Sequence, residues 1–241
     1  MRRFGLIGKT LKHSFSQNYF TRKFSEHAIT DCRYDLFELQ SVDLLPALIR
    51  DITTLEGLNV TIPYKELVLP YLDHQHEIVQ AIGACNCIRI RSSRLEGFNT
   101  DVCGFRESIR PLVQPHHRKA LVLGTGGASK AVHYALQQLG ITTASVSRSN
   151  GDFTYESLTP EVIGDHGVIV NTTPLGTYPD TEGSPPIPYA HLAAHHLLFD
   201  LVYNPSLTTF MQKGQERGAQ VANGLEMLVI QAEESWKIWN E

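Results

Sequence analysis

The chain has 241 residues, 42% hydrophobic and 19% charged, with a formal net charge of −4. This is the composition of an ordinary globular protein with room for one large domain or two small ones, and its charge gives no footing for wholesale nucleic-acid binding. No apolar run approaches a membrane span, the glycine-broken start is too short for a signal peptide, and Cys32, Cys85, Cys87 and Cys103 make no disulfide framework at this size, so a reducing, cytoplasmic setting is expected.

Residues 4–8 and 34–39 read as strands, and 16–24 and 42–50 as helices with their apolar residues on one face. Residues 56–62 read as a third strand. At its end lies Asn59-Val60-Thr61-Ile62-Pro63-Tyr64-Lys65, with Pro63 as the stop. A lysine just past a strand end, beside Asn and Thr, suits a small polyhydroxylated or oxo compound; the bland alternative is a solvated surface charge. Residues 65–71 form a short predicted helix. Strands at 84–91 and 94–98 flank Ser92-Ser93 as a hairpin, on which Arg89, Arg91 and Arg94 are a short solvated cluster.

Asp101 opens a helical pattern of Val102, Phe105, Ile109 and Leu112 that Pro115 ends, and the polar stretch 114–118 is the expected link into a second unit. From Lys119 strands and helices alternate again, at 120–124, 128–139, 142–147, 168–171, 197–202, 207–217 and 220–222, a doubly wound nucleotide-binding pattern. Residues 171–189 make a long, proline-rich loop of the kind that is more often functional than idle. Gly224 precedes a periodic apolar run, 225–239, expected to return to the first half and close the two units over a cleft. The fold class is therefore α/β with two domains: a substrate-binding unit of residues 1–102 plus 225–241, and a Rossmann-like unit of residues 103–224. The pairs His74/His76, His116/His117 and His195/His196 read as surface histidines, and the cysteines lack zinc-site spacing, so no metal is expected.

Residues 120–131, ALVLGTGGASKA, are a strand, a glycine turn and a helix start. Gly124 allows the tight turn. Gly126 and Gly127 let the backbone approach a pyrophosphate, the helix start at Ala128 offers unpaired N–H groups, and Ser129 is small enough for helix–strand contact. An NAD site places an acid about twenty residues further on, at the end of the second strand. Here that strand ends Val146-Ser147-Arg148-Ser149. No acid stands there, and the Arg148 fork can pair with a 2′-phosphate, which favours NADP; Asp152 is the nearest acid.

Taken in order, Ser14-Phe15-Ser16, the Asn59–Lys65 segment, Gly83-Ala84-Cys85-Asn86-Cys87-Ile88, Gly97-Phe98-Asn99-Thr100-Asp101 and the glycine loop strongly resemble the shikimate dehydrogenase family. So do Asn171-Thr172-Thr173-Pro174-Leu175-Gly176, Asp200-Leu201-Val202-Tyr203-Asn204-Pro205, and the stretch from Gly224 through Gln231 to Ala232. The resemblance covers nearly the whole chain. It implies a two-domain enzyme that reduces 3-dehydroshikimate to shikimate with NADPH in aromatic amino-acid biosynthesis, working as a monomer or homodimer. By this likeness Ser14 and Ser16 hold the substrate carboxylate. Asn59, Thr61, Asn86, Tyr203 and Gln231 hold its hydroxyls or ring edge, and Lys65 and Asp101 flank the reacting oxygen. Thr172 and Gly224 join the glycine loop and Arg148 at the cofactor. The chain departs from the family at Ser147, where Asn is frequent, at Cys85 and Cys87 in place of Val and Thr, and at Thr177 in place of Met. It has one evident basic residue for the 2′-phosphate instead of two, and it is short, with trimmed loops in its second half.

Lys65 can donate to a developing alkoxide and surrender a proton, with Asp101 orienting it; a purely structural Lys–Asp pair is the plainer alternative. The two serines also suit helix caps. Competing functional readings are an NAD-dependent quinate/shikimate dehydrogenase, against which Ser147 and Arg148 speak, and a regulatory binding protein without activity, against which the retained Lys65 and Asp101 speak. A dehydrogenase of the methylenetetrahydrofolate type shares the two-domain plan but not the Ser14/Ser16 pair or Gln231.

Overall fold

The computed structural model describes residues 1–11 and 14–241. Among these the chain divides into two units, Met1–Asp101 with Leu228–Glu241, and Val102–Met227. In the first unit β1 (Arg2–Gly8) leads through α1 (Phe15–Glu26) to β2 (Cys32–Glu38). Then follow α2 (Leu45–Asp51), β3 (Leu55–Val60), α3 (Tyr64–Leu67), the two-residue β4 (His74–Gln75), α4 (Glu77–Ile82), β5 (Cys87–Arg91) and β6 (Arg94–Phe98). The sheet order is β2-β1-β3-β5-β6-β4, with β1, β2 and β3 parallel and β5 antiparallel to both its neighbours. Ser92 and Ser93 turn the β5–β6 hairpin, both at positive φ, as a tight two-residue hairpin loop requires. Prolines shape two of the helices. Residues 42–44 form a 3-10 turn and α2 starts at Leu45 with Pro46 in its first turn. The helix expected at 65–71 breaks after Leu67, and Pro70 lies in a separate 3-10 turn, Leu69–Tyr71.

The second unit continues from α5 (Asp101–Ile109) to β7 (Lys119–Leu123), α6 (Gly127–Gln138), β8 (Thr142–Ser147), β9 (Phe153–Thr154), α7 (Pro160–Asp165), β10 (Val168–Asn171), β11 (Leu197–Asp200), α8 (Thr209–Gln215) and β12 (Gln220–Asn223). Its sheet runs β12-β11-β10-β7-β8-β9 and every pairing is parallel. From the central β7 the strands are laid outward to β9 on one side, then outward from β10 to β12 on the other. That is the doubly wound order, and its switch point lies between β7 and β10. Helix α7 was not expected from the sequence; Thr159 caps it by accepting from Val162 N at 3.3 Å, and Pro160 occupies its first turn.

Helix α9 (Leu225–Asn240) returns to the first unit over most of its length. It covers one face of that sheet, where Trp239 joins Phe4, Phe20, Phe24 and Tyr34 in a single cluster. The Trp239 indole donates to Ile88 O at 3.0 Å and lies against Gly57, where any Cβ would strike the ring. The other face is filled by Ile7, Leu45, Leu58, Val68, Val79 and Ile88. With both faces covered, β1 has five consecutive buried residues.

Two expectations are corrected here. The stretch 114–118 is anchored in the second unit: buried His117 accepts from Gln114 N through Nδ1 at 3.0 Å and bonds His195 O through Nε2 at 3.1 Å. His196 is also buried, accepting from Ala193 N at 3.0 Å and bonding Ile163 O at 3.0 Å. Neither is a surface histidine, because each ring bridges a backbone N–H to a backbone carbonyl.

Candidate active site and nucleotide-binding edge

In the first unit, a buried polar chain gathers most of the residues singled out by the sequence. Helix α3 is fastened where β3 ends, with Lys65 O accepting from Cys85 N at 2.7 Å. This aims Lys65 Nζ at Asp101 Oδ2, 2.6 Å away, with the two side chains 16% and 8% exposed. The other carboxylate oxygen, Oδ1, accepts from Asn86 Nδ2 at 2.8 Å. Asn86 is held in that orientation because its Oδ1 accepts from Thr100 N at 2.6 Å. Asp101 also begins α5, where the helix dipole favours a negative charge.

The chain runs on to Asn59, an expected substrate residue, through Thr100, Ser235 and Tyr34, for which no role was expected. Thr100 Oγ1 meets Ser235 Oγ at 3.3 Å, Ser235 accepts from Asn59 Nδ2 at 2.9 Å, and Asn59 Oδ1 accepts from Tyr34 OH at 2.8 Å. Burial pushes the Tyr34 phenol well above its ordinary range, which keeps it a donor. Asn59 thus directs its bonds to Tyr34, Ser235 and the Asn86 carbonyl, and braces β3 against α9. Ser235 lies four residues after Gln231, one turn along the same helix face, and that spacing was the signal available for it.

Ser14 is the N-cap of α1, its Oγ accepting from Gln17 N at 3.3 Å. Capping uses the oxygen as acceptor and leaves the hydroxyl hydrogen to donate elsewhere. No acid lies in the first turn of α1, so its positive end suits a carboxylate. Ser16 is buried in that same turn. The Thr61 hydroxyl and Gln231 Nε2 have no hydrogen-bond partner among the described residues, while Gln231 Oε1 lies 3.4 Å from Asn86 Nδ2. No fully buried side-chain polar atom there lacks a partner, so both groups are open to solvent. Helices α1 and α9 are joined by Glu233, which accepts from Lys23 Nζ at 2.7 Å and from Tyr19 OH. The thiols beside Asn86 are inert packing groups: burial pushes Cys85 up to about 12, and Cys87 higher still.

In the second unit the expected nucleotide residues gather at the carboxyl edge of the sheet, around the switch point. Gly124 follows β7 with φ +108, and a Cβ there would stand 2.8 Å from Thr172 Oγ1. Thr172 donates its hydroxyl to Leu123 O at 2.6 Å, closing the loop after β10 onto β7. Gly126 caps α6 with no side-chain cap bond, no acid follows in the first turn, and a Cβ built on it meets nothing within 4 Å. The helix therefore presents unclaimed N–H groups beside open space, which a pyrophosphate fits. Gly127 and Ala128 form its first turn, and Ser129 is buried with Oγ donating to Gly126 O at 2.7 Å. Gly224 presses on the backbone of Leu201, so its missing Cβ serves the approach of two chain segments.

Arg148, past the end of β8, is exposed and makes no ion pair among the described residues. Ser147 Oγ shapes its turn by accepting from Ser149 N at 3.2 Å and Asn150 N at 2.8 Å. Asp152, the nearest acid in sequence, is committed elsewhere: one carboxylate oxygen accepts from both Ser145 N and Ser145 Oγ at 2.7 Å. These bonds hold its carboxyl below the usual range. An unpaired guanidinium with the neighbouring carboxylate tied down fits a 2′-phosphate. Tyr203 is half-buried in the loop after β11.

Residues 6–88 match the family model described as the shikimate dehydrogenase substrate binding domain. The shikimate dehydrogenase (NADP(+)) of Caldicellulosiruptor saccharolyticus is 34% identical, covering 99% of this chain and 92% of its own. That of Ignicoccus hospitalis is 35% identical over 98% of this chain and 92% of its own. Among solved structures, shikimate 5-dehydrogenase from Thermus thermophilus, in complex with NADP(H) and shikimate, superposes with a TM-score of 0.87 at 29% identity, covering 99% of this chain and 93% of that one.

Proposed function

The chain belongs to the shikimate dehydrogenase family, and from that premise we propose that it is an NADP-dependent oxidoreductase that reversibly reduces 3-dehydroshikimate to shikimate, with the residue roles below. The observation that carries the reading is the Lys65–Asp101 pair, 2.6 Å apart and buttressed by Asn86, at the head of a buried polar chain.

The glycine turn Gly124 to Ser129, Thr172 and Gly224 would hold NADPH, with Arg148 at its 2′-phosphate, and the bound cofactor would supply the hydride. The substrate carboxylate is taken by the Ser14 and Ser16 hydroxyls at the positive end of α1. Thr61, Asn86 and Gln231 bind the ring hydroxyls, Asn59 sets the strand that carries Thr61, and Tyr203 borders the ring edge. Negative charge that develops on the ketone oxygen is met by Lys65. Its ammonium has three hydrogens, one of them on Asp101, so the others remain to bond that oxygen and deliver a proton. Asp101 fixes the direction of the amine through one oxygen and is itself fixed by Asn86 through the other.

The test is absorbance of the reduced nicotinamide with shikimate or quinate, and NADP or NAD, in all four combinations. Turnover is expected with shikimate and NADP above the other three; no turnover there, or a preference for quinate with NAD, would overturn the reading. The same reading makes the enzyme a cytoplasmic monomer or homodimer. The four cysteines are free and no described helix is long and apolar enough to cross a membrane; light scattering decides the assembly.

A further inference from the structure

Three segments at the carboxyl edge of the second sheet converge on one carboxylate. Asp200, the last residue of β11, is fully buried. Its Oδ1 accepts from Asn171 Nδ2 at 2.9 Å and from Val202 N at 3.0 Å, and its Oδ2 accepts from Thr208 Oγ1 at 2.6 Å. Asn171 ends β10 and through its own Oδ1 holds Thr173, by N at 3.0 Å and by Oγ1 at 2.7 Å. Val202 starts the turn that carries Tyr203. Thr208 is the N-cap of α8 and accepts from Met211 N at 3.3 Å. One side chain thereby sets the loop after β10, the loop after β11 and the start of α8. Burial pushes this carboxyl up to about 6 against the pull of its donors, and no cation among the described residues offsets the cost. A buried charge kept without a counter-ion is expensive, and its return here is the fixing of three loops at once.

The sheet order says which part of a ligand those loops serve. Arg148 follows β8, on one side of β7, whereas β10 and β11 lie on the other. A dinucleotide that crosses the switch point with its 2′-phosphate at Arg148 lays its nicotinamide half over β10 and β11. We propose that Asp200 is a positioning residue for the nicotinamide half of the cofactor, acting through Asn171, Val202 and Thr208. The inference rests on the NADP-dependent reading above.

The test compares two ligands on the purified full chain by calorimetry, NADP and adenosine 2′,5′-bisphosphate, the latter carrying the adenine half alone, and adds kcat for shikimate oxidation. Asp200→Leu is expected to lower kcat at least about thirtyfold, because small misplacements of reacting groups cost about a hundredfold. It should weaken NADP at least about fivefold and leave the bisphosphate within about twofold, as for independent sites. Asp200→Asn keeps the acceptor facing Asn171 and Val202 and offers Thr208 a donor, so it should regain most of the lost kcat. Equal weakening of both ligands marks a general structural defect and overturns the proposal, as do wild-type values of kcat and NADP affinity. Should Asp200→Leu fail to fold, Thr208→Val, which removes one of the three bonds, is read by the same pattern. Absence of wild-type turnover with shikimate and NADP would sink the dehydrogenase reading alone, since the two binding constants still decide the role of Asp200.

Discussion

Asp101→Asn is the sharpest single probe of the site, because the substitution barely changes shape and every neighbour of that side chain is a donor. Lys65 Nζ faces Oδ2 at 2.6 Å and Asn86 Nδ2 faces Oδ1 at 2.8 Å. An amide must turn its NH2 toward one of them. Turning it toward Asn86 is not cured by flipping Asn86, because that would aim the Asn86 amine at Thr100 N, now a donor 2.6 Å from Asn86 Oδ1. The variant thus loses one charge-assisted bond and sets two donors face to face, a cost of about 1.5–3 kcal/mol for a bond to a charged group. If that bond is made in the transition state, kcat/KM for shikimate oxidation should fall about ten- to 150-fold at about 1.4 kcal/mol per decade, with kcat carrying most of the loss. Steady-state absorbance kinetics with NADP measures it, alongside a melting curve to confirm the fold. A kcat/KM within about twofold of wild type, on a folded variant, would refute the orienting role.

Ser14→Ala should cost about 1 kcal/mol of stability through the lost cap on Gln17 N, seen in calorimetry as a Tm drop of about 2–4 °C. It should also raise KM for shikimate. Ser16→Ala should raise KM for shikimate. Arg148→Ala should raise KM for NADP about tenfold or more while leaving NAD unchanged, since a charged contact of about 1.5–3 kcal/mol is removed; equal effects on both cofactors would point away from the 2′-phosphate. Burial holds the His117 pKa below its ordinary value of 6.5. The unfolded chain therefore binds more protons than the folded one in the window below 6.5. The contribution of this ring is complete above pH 6.5 and is lost as pH falls from there to its folded pKa. Urea midpoints measured from pH 7.5 to 5 should decline less steeply in His117→Gln than in wild type.

Local chemistry made much of this molecule legible. A glycine turn between a strand and a helix needs Gly124 at positive φ, and the alternation after Lys119 corresponds to the parallel doubly wound sheet. The amine at the end of β3 does find the carboxylate at the start of α5. Illegible were the bonds that join distant segments. Tyr34, Asn59, Thr100 and Ser235 form one polar chain only because β2, β3 and α9 are brought together by the aromatic cluster around Trp239, and no periodicity encodes that. His117 and His196 look like surface residues in sequence because their partners are backbone groups, which carry no sequence signal. Helix α7 has a start signal in Thr159-Pro160, but its six residues are too few for an amphipathic period to register.

The return of α9 to the first sheet has a consequence for how the protein is made. Domains generally fold as units while the ribosome is still adding residues. Every residue of Val102–Met227 has been synthesised before the first residue of 228–241 is added. Until those last turns emerge, Phe4, Phe20 and Tyr34 lack the indole that covers them, and Asn59 and Thr100 lack Ser235. A nascent chain stalled between Met227 and Gln231 thus holds every residue of its second unit while the aromatic face of its first sheet is still open to chaperones and to aggregation, and the earliest strand translated is among the last to be finished.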